Sequence, residues 1–199
     1  MEQVNAALQN EDYSAVAGLL DEAELRSPST TVLADGWPAA LHLLAHVYNG
    51  DLPDARMLYK RLPDTVKADP QVSAAWRLLQ CAWQGNSEGV WRALRAGPWS
   101  PPAAPLATAL GERLRVRQLD LVAAAYSHVT PARLAALCGC SEEEAVAAAQ
   151  ARGWKLATEG GGGEGGVAAL EVVAPPVSRG ELDSLAALEQ LSVYMTQLE

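Results

Sequence analysis

Apolar residues in the front half of the chain recur every three to four positions, the period of a helix face, and three short polar segments interrupt them. The segments align without gaps: Gln9-Asn10-Glu11-Asp12-Tyr13, Tyr48-Asn49-Gly50-Asp51-Leu52 and Trp83-Gln84-Gly85-Asn86-Ser87. Their fourth positions, Asp12, Asp51 and Asn86, are residue types whose side-chain oxygen accepts from the free N–H groups of a starting helix. After each cap the same face recurs: Val16, Leu19 and Leu20, then Ala55, Leu58 and Tyr59, then Val90, Ala93 and Leu94. Pro53 falls in a first turn, where its missing N–H costs little. Before the caps, Pro38 to Tyr48 sets Leu41, Leu44, Ala45 and Tyr48 on one side. Pro70 to Trp83, opened by Asp69, presents Val72, Trp76, Leu79 and Trp83. Each copy therefore predicts helix, tight turn, helix. Caps 39 and then 35 residues apart fit stacked helical-hairpin repeats, which bury their faces against one another and usually bind proteins.

Proline in Gly97-Pro98-Trp99-Ser100-Pro101-Pro102 ends this region. A helix is then expected from Ala103 to about Ala124, with Leu106, Leu110, Leu114 and Leu121 on neighbouring turns. Arg113, Arg115 and Arg117 alternate along it, as on a solvated face. Next come a short strand over Tyr126 to Val129 and a helix capped by Thr130 and opened by Pro131. A second helix, from Ser141 to about Gly153, opens with Ser141 and Glu144 as a capping box. Trp154 to Ala157, a glycine-rich turn and Val167 to Val173 predict a hairpin. Strand, helix, helix, hairpin is the order of a winged helix. Beyond the linker Pro175 to Gly180, Leu182, Leu185, Leu188, Leu191, Met195 and Leu198 form an apolar stripe, accompanied by Tyr194. This last helix either folds back on its own chain or lies against helices of other chains, and the pattern leaves both open.

The expected fold is mainly α: hairpin repeats over residues 1–97, a linking helix and winged helix over 103–174, and a terminal assembly helix over 181–199. With 199 residues, 49% of them hydrophobic, the chain can bury a core of ordinary size. Three cysteines without framework spacing, no basic-then-apolar leader and no long apolar window predict a soluble intracellular protein, in nucleus and cytoplasm.

Charge bears on the winged helix. The net formal charge is −9, and the helix that would enter a DNA groove begins Glu142-Glu143-Glu144, with Arg152 alone near its end. The expectation is an assembly surface, with no nucleic acid and no membrane among its partners. Candidate chemistry is sparse. His42 and His46 share a helix face, but Leu43 stands where a helical zinc protease has Glu, and no third ligand is evident. Cys138-Gly139-Cys140, with His128 upstream, reads as a turn, because two cysteines one residue apart rarely both reach one metal. The run Gly160 to Gly166 lacks the Gly-Lys-Ser/Thr of a phosphate loop. The expectation is a non-enzyme without cofactor or metal.

Helical hairpins leading into a winged helix resemble the PCI domains of the proteasome lid, the COP-nine signalosome and translation initiation factor three. Particular segments narrow the resemblance. Asp35-Gly36-Trp37-Pro38-Ala39-Ala40-Leu41-His42-Leu43-Leu44 is similar to the first long helix of the signalosome subunit-eight family. Asp54-Ala55-Arg56-Met57-Leu58-Tyr59-Lys60-Arg61-Leu62-Pro63 is similar to its next helix. Ala75-Trp76, Trp83, Trp99-Ser100, Ala125-Tyr126-Ser127, Gly153-Trp154 and the ending Leu191 to Glu199 follow in matching order. Tyr59, where that family usually has Trp, and Trp91, where Tyr is common, depart from it. The resemblance implies a non-catalytic subunit of the complex that deneddylates cullins, with the isopeptidase on another chain. It implies a hetero-oligomer, with a neighbouring PCI subunit (subunit three) and a shared bundle of C-terminal helices as partners.

Overall fold

The computed structural model describes residues 1–26, 33, 36–158 and 168–173. Within them the chain is mainly helical. Helices α1 (Glu2–Gln9) and α2 (Tyr13–Arg26), α3 (Ala39–Asn49) and α4 (Leu52–Arg61), and α6 (Pro70–Trp83) and α7 (Ser87–Ala96) pack as successive pairs. A four-residue helix, α5 (Asp64–Lys67), sits between α4 and α6 and has no counterpart in the sequence expectation, because one turn is too short to show a period. The long α8 (Ala103–Ala125) follows. Then come β1 (His128–Val129), α9 (Pro131–Cys138), α10 (Glu142–Ala151), β2 (Lys155–Thr158) and β3 (Ala168–Glu171).

The caps differ in what they accomplish. Asn86 accepts from the Gly89 amide at 3.0 Å and Asp69 from that of Gln71 at 2.7 Å. Asp12 meets the Ala15 amide only at 3.4 Å, and Asp51 makes no side-chain cap bond. The second hairpin turn is instead made by Gly50, left-handed at φ 90°, whose amide closes on the carbonyls of His46 and Val47.

The first core is centred on α3, which packs against α2, α4, α6 and α8. Every residue from Ala39 to Val47 is buried, so this helix has no polar face at all. Its own Leu43 and Leu44 share that core with Leu20, Leu58, Leu78, Leu79, Leu106 and Leu110 from the helices around it. Tyr59 stacks flat on Trp76, with ring centroids 3.9 Å apart, and Lys67 lies 5.7 Å from the Tyr59 ring.

A second, smaller core begins further along α8. Leu119, Val122 and Ala123 close over Val129, Leu134, Ala145, Ala149, Trp154, Leu170 and Val172. The α8 stripe thus turns from Leu106 and Leu110 to Leu119 and Val122, and Leu121, expected inside, is 53% exposed. The three strands form one antiparallel sheet in the order β1-β3-β2, with Val129 opposite Leu170 and Leu156 opposite Leu170 on the other side. Strand, helix, helix and hairpin thus appear in the predicted order.

Trp91 of α7 joins the cores. It is buried, and its indole N–H donates to the Leu137 carbonyl at 2.8 Å. Its ring lies over Gly139, where a Cβ would fall 2.2 Å from the indole and where φ is +62°. Both the close approach and the left-handed turn ending α9 therefore demand glycine. Arg115 of α8 approaches the Trp91 ring at 5.6 Å.

Candidate functional site

The apolar stripe of Leu182, Leu185, Leu188, Leu191, Tyr194, Met195 and Leu198 lies outside the described residues. Two other surfaces present themselves among those described.

The first is the rim of the winged helix. β3 is the middle strand, so β2 leaves one row of backbone groups without a strand partner among the described residues. Leu156 stands opposite the fully buried Leu170 in the ladder, yet is 52% exposed, so the apolar face of the sheet runs out to that open edge. Tyr126 and Val173 are exposed as well. The α10 N-terminus carries the complete capping box: Ser141 Oγ accepts from the Glu144 amide at 3.2 Å, and Glu144 accepts from the Ser141 amide at 3.1 Å. Glu142 and Glu143 remain exposed beside it. Arg152, the lone cation of that helix end, is held by Asp120 of α8 and donates to the Val116 carbonyl. Arg113 is likewise engaged, 4.4 Å from the Tyr48 ring.

The second lies on the helical pairs, where Met57 and Trp83 are more than half exposed and Arg56 covers the Trp83 ring at 5.3 Å. Sequence periodicity set Trp83 on an inward face with Val72 and Leu79. Its place at the last turn of α6 carries it past the end of the core.

His42 and His46 do share a face of α3, as their spacing requires, and that face is enclosed. His42 is fully buried and His46 is 4% exposed. Their rings stack with centroids 4.8 Å apart. The third group that sequence reading lacked is Asp21, from α2. Its Oδ1 lies 3.0 Å from His42 Nε2 and 3.4 Å from His46 Nε2, and the two Nε2 atoms are 3.2 Å apart. On the far side of His42, the Trp37 indole N–H donates to Nδ1 at 3.3 Å. Burial, with the neighbouring His46 acting in the same direction, brings the His42 pKa down to about 4, against the pull of Asp21. One signal for Asp21 was available. It stands four residues after the buried Ala17 and three before Glu24, which bonds Arg61 of α4 at 2.7 Å, so both acids continue an inward-facing row of α2.

Cys138 closes α9 from inside and Cys140 follows half-buried; both are free thiols. Burial pushes Cys138 up to about 11 and raises Cys140 too, so neither is a ready thiolate. His128 is exposed, with its Nδ1 3.3 Å from Ser127 Oγ. Among the described residues no helix is long and apolar enough to cross a membrane.

Paired helices stacked on one core, with a small helix-and-sheet core fastened to them by a shared long helix, make up a mainly helical fold. The sequence model of the CSN8/PSMD8/EIF3K family matches residues 34–166, and the chain belongs to that family. It is 30% identical to COP9 signalosome complex subunit 8 of Arabidopsis thaliana over 198 residues, 98% of this chain and 97% of that protein. The protein of the same name from Danio rerio is 37% identical over 57% of this chain and 60% of its own length. That from Xenopus tropicalis is 30% identical over 68% of this chain and 69% of its own.

Proposed function

We propose that this chain is a non-catalytic structural subunit of the COP9 signalosome, the complex that removes Nedd8 from cullin-RING ubiquitin ligases. The observation that carries the reading is the collinear match to a plant subunit 8 over 98% of this chain, whose span takes in the helical pairs and the winged helix as well as most or all of the terminal stripe. The family also includes proteasome-lid and initiation-factor subunits, but the three relatives above all bear the signalosome name.

The chain works by presenting surfaces. The β2 edge with Leu156, which has no strand partner among the described residues, pairs with the winged helix of a neighbouring PCI subunit, subunit three, because such a strand row is a template for another chain. The stripe from Leu182 to Leu198 enters a bundle of C-terminal helices. The acidic start of α10 and the engagement of Arg152 by Asp120 favour protein neighbours over nucleic acid. Catalysis rests with another subunit, and the chain acts where the complex acts, in nucleus and cytoplasm.

Affinity purification of the tagged chain with mass spectrometry tests this reading. Signalosome subunits are expected in near-stoichiometric yield, and recovery of proteasome-lid or initiation-factor proteins instead would overturn it. Deleting residues 181–199 is expected to leave a folded chain that enters the complex poorly; undiminished incorporation would show that the stripe packs within its own chain.

A further inference from the structure

The histidine pair in the first core is more than a packing detail, because its geometry matches a ligand set. Three donor atoms, Asp21 Oδ1, His42 Nε2 and His46 Nε2, form a triangle with sides of 3.0, 3.2 and 3.4 Å. Four ligands about 2.05 Å from a tetrahedral zinc ion stand about 3.3 Å from one another. Two imidazoles and a carboxylate are also the donor types that a borderline divalent ion takes, and they leave its fourth position open to water. Asp21 is 44% exposed while both rings are buried, so among the described residues the triangle opens to solvent at Asp21. We infer that Asp21, His42 and His46 constitute a binding site for a divalent transition-metal ion of the zinc class, which clips α2 to α3.

Proton accounting supports a ligand here and specifies what must change to admit it. With Trp37 donating to His42 Nδ1, a neutral His42 keeps its proton on Nε2, where it faces both Asp21 and His46. His46 Nδ1 is buried and has no hydrogen-bond partner among the described residues, so one polar position of the pair goes unused whichever tautomer His46 adopts. Metal binding takes both Nε2 lone pairs and moves the His42 proton to Nδ1. The Trp37 N–H must then turn away. Trp37 is only partly buried and precedes α3 in the chain, so its indole can turn to water. It therefore opposes the ion and also reports its arrival.

The test uses the tag-free 199-residue chain, stripped with EDTA and titrated with zinc, and separately with cobalt(II). Zinc in hundredfold excess over its dissociation constant is expected to raise the melting temperature by about 5 °C or more. Cobalt is expected to give the strong visible bands of a tetrahedral site. Asp21→Asn keeps the shape of a side chain that is partly exposed and removes its charge. Altering groups that merely orient metal ligands costs about 10–100-fold in affinity, so this variant should bind at least about tenfold more weakly. Trp37→Phe removes the opposing donor and is expected to bind zinc more tightly than the parent, an effect that a packing role for the histidines does not produce. Neither a zinc-dependent shift nor cobalt bands in the parent chain would overturn the site. Equal affinity in the Asp21→Asn variant, with its helical spectrum intact, would also overturn it by placing the ion elsewhere, for instance on the cysteines.

Discussion

The two cores of this chain are built on different terms. The first is organised around a helix enclosed on every side: α3 buries nine consecutive residues, two of them histidines. The second is organised by short local signals. Thr130 and Ser141 cap α9 and α10 with their side chains, Gly139 ends α9, and the inward positions of α10 are the small Ala145 and Ala149. The difference separates two sources of order. In the first core, residue identity answers to neighbours distant in sequence; in the second, much of it answers to residues three or four positions away.

Trp91 is where these two systems meet, so it offers the most direct way to break the comparison. Truncating a buried Trp costs roughly 3–5 kcal/mol, and here the loss falls on both cores at once. Trp91→Ala is therefore expected to lower stability by about that amount. It should also split one cooperative urea transition into two, because Gly139 and the Leu137 carbonyl lose their partner together. Trp91→Phe, which keeps the ring and removes the N–H, should cost only about 1–2 kcal/mol and retain a single transition. Equilibrium unfolding followed by fluorescence and circular dichroism checks both.

Acid should distinguish the cores next. His42 titrates near 4 in the folded chain and near 6.5 when unfolded, through burial first and the neighbouring His46 second. Asp21 acts the other way, and Arg61 adds slightly to the lowering. Between those values the unfolded state holds the extra proton, so stability is intact above pH 6.5 and falls as pH drops toward 4, by at most about 3 kcal/mol. In EDTA, protection factors at α3, corrected for the intrinsic slowing of amide exchange in acid, should therefore fall between pH 6.5 and 4.5 before those at α10 do, since no histidine lies in the second core. Equal acid sensitivity of the two helices would count against this assignment.

These differences also explain which features were legible from sequence. The helical pairs could be read because a period of three to four survives wherever a helix keeps one wet face, as α4 and α7 do. The winged-helix order could be read because Thr130, Ser141, Glu144 and the strands around the glycine run are local signals. Three features were not legible. In α3 there is no wet face, so periodicity could not say that His42 and His46 would be enclosed. Asp21 lies 21 residues before His42, and only the docking of α2 on α3 joins them. Leu121 followed the spacing of Leu106 and Leu110, but α8 changes partners along its length and the buried stripe turns with it. Periodicity identifies a helix face; it does not name the neighbour that face meets.

The caps give the smallest and sharpest version of the contrast. Ser141 and Asp51 look alike as sequence signals, each a good cap residue at the start of a helix. In the structure Ser141 holds the Glu144 amide and Glu144 answers to the Ser141 amide, whereas Asp51 makes no side-chain cap bond and its turn is closed by Gly50. Ser141→Ala is therefore expected to cost about 1 kcal/mol, and Asp51→Ala no more than a few tenths. Thermal or urea midpoints of the two variants, measured side by side, decide the matter. If Asp51→Ala proved as costly as Ser141→Ala, the polar turns of the helical pairs would be stabilising caps in the manner of the winged helix. The two regions would then differ in their cores but not in how their helices begin.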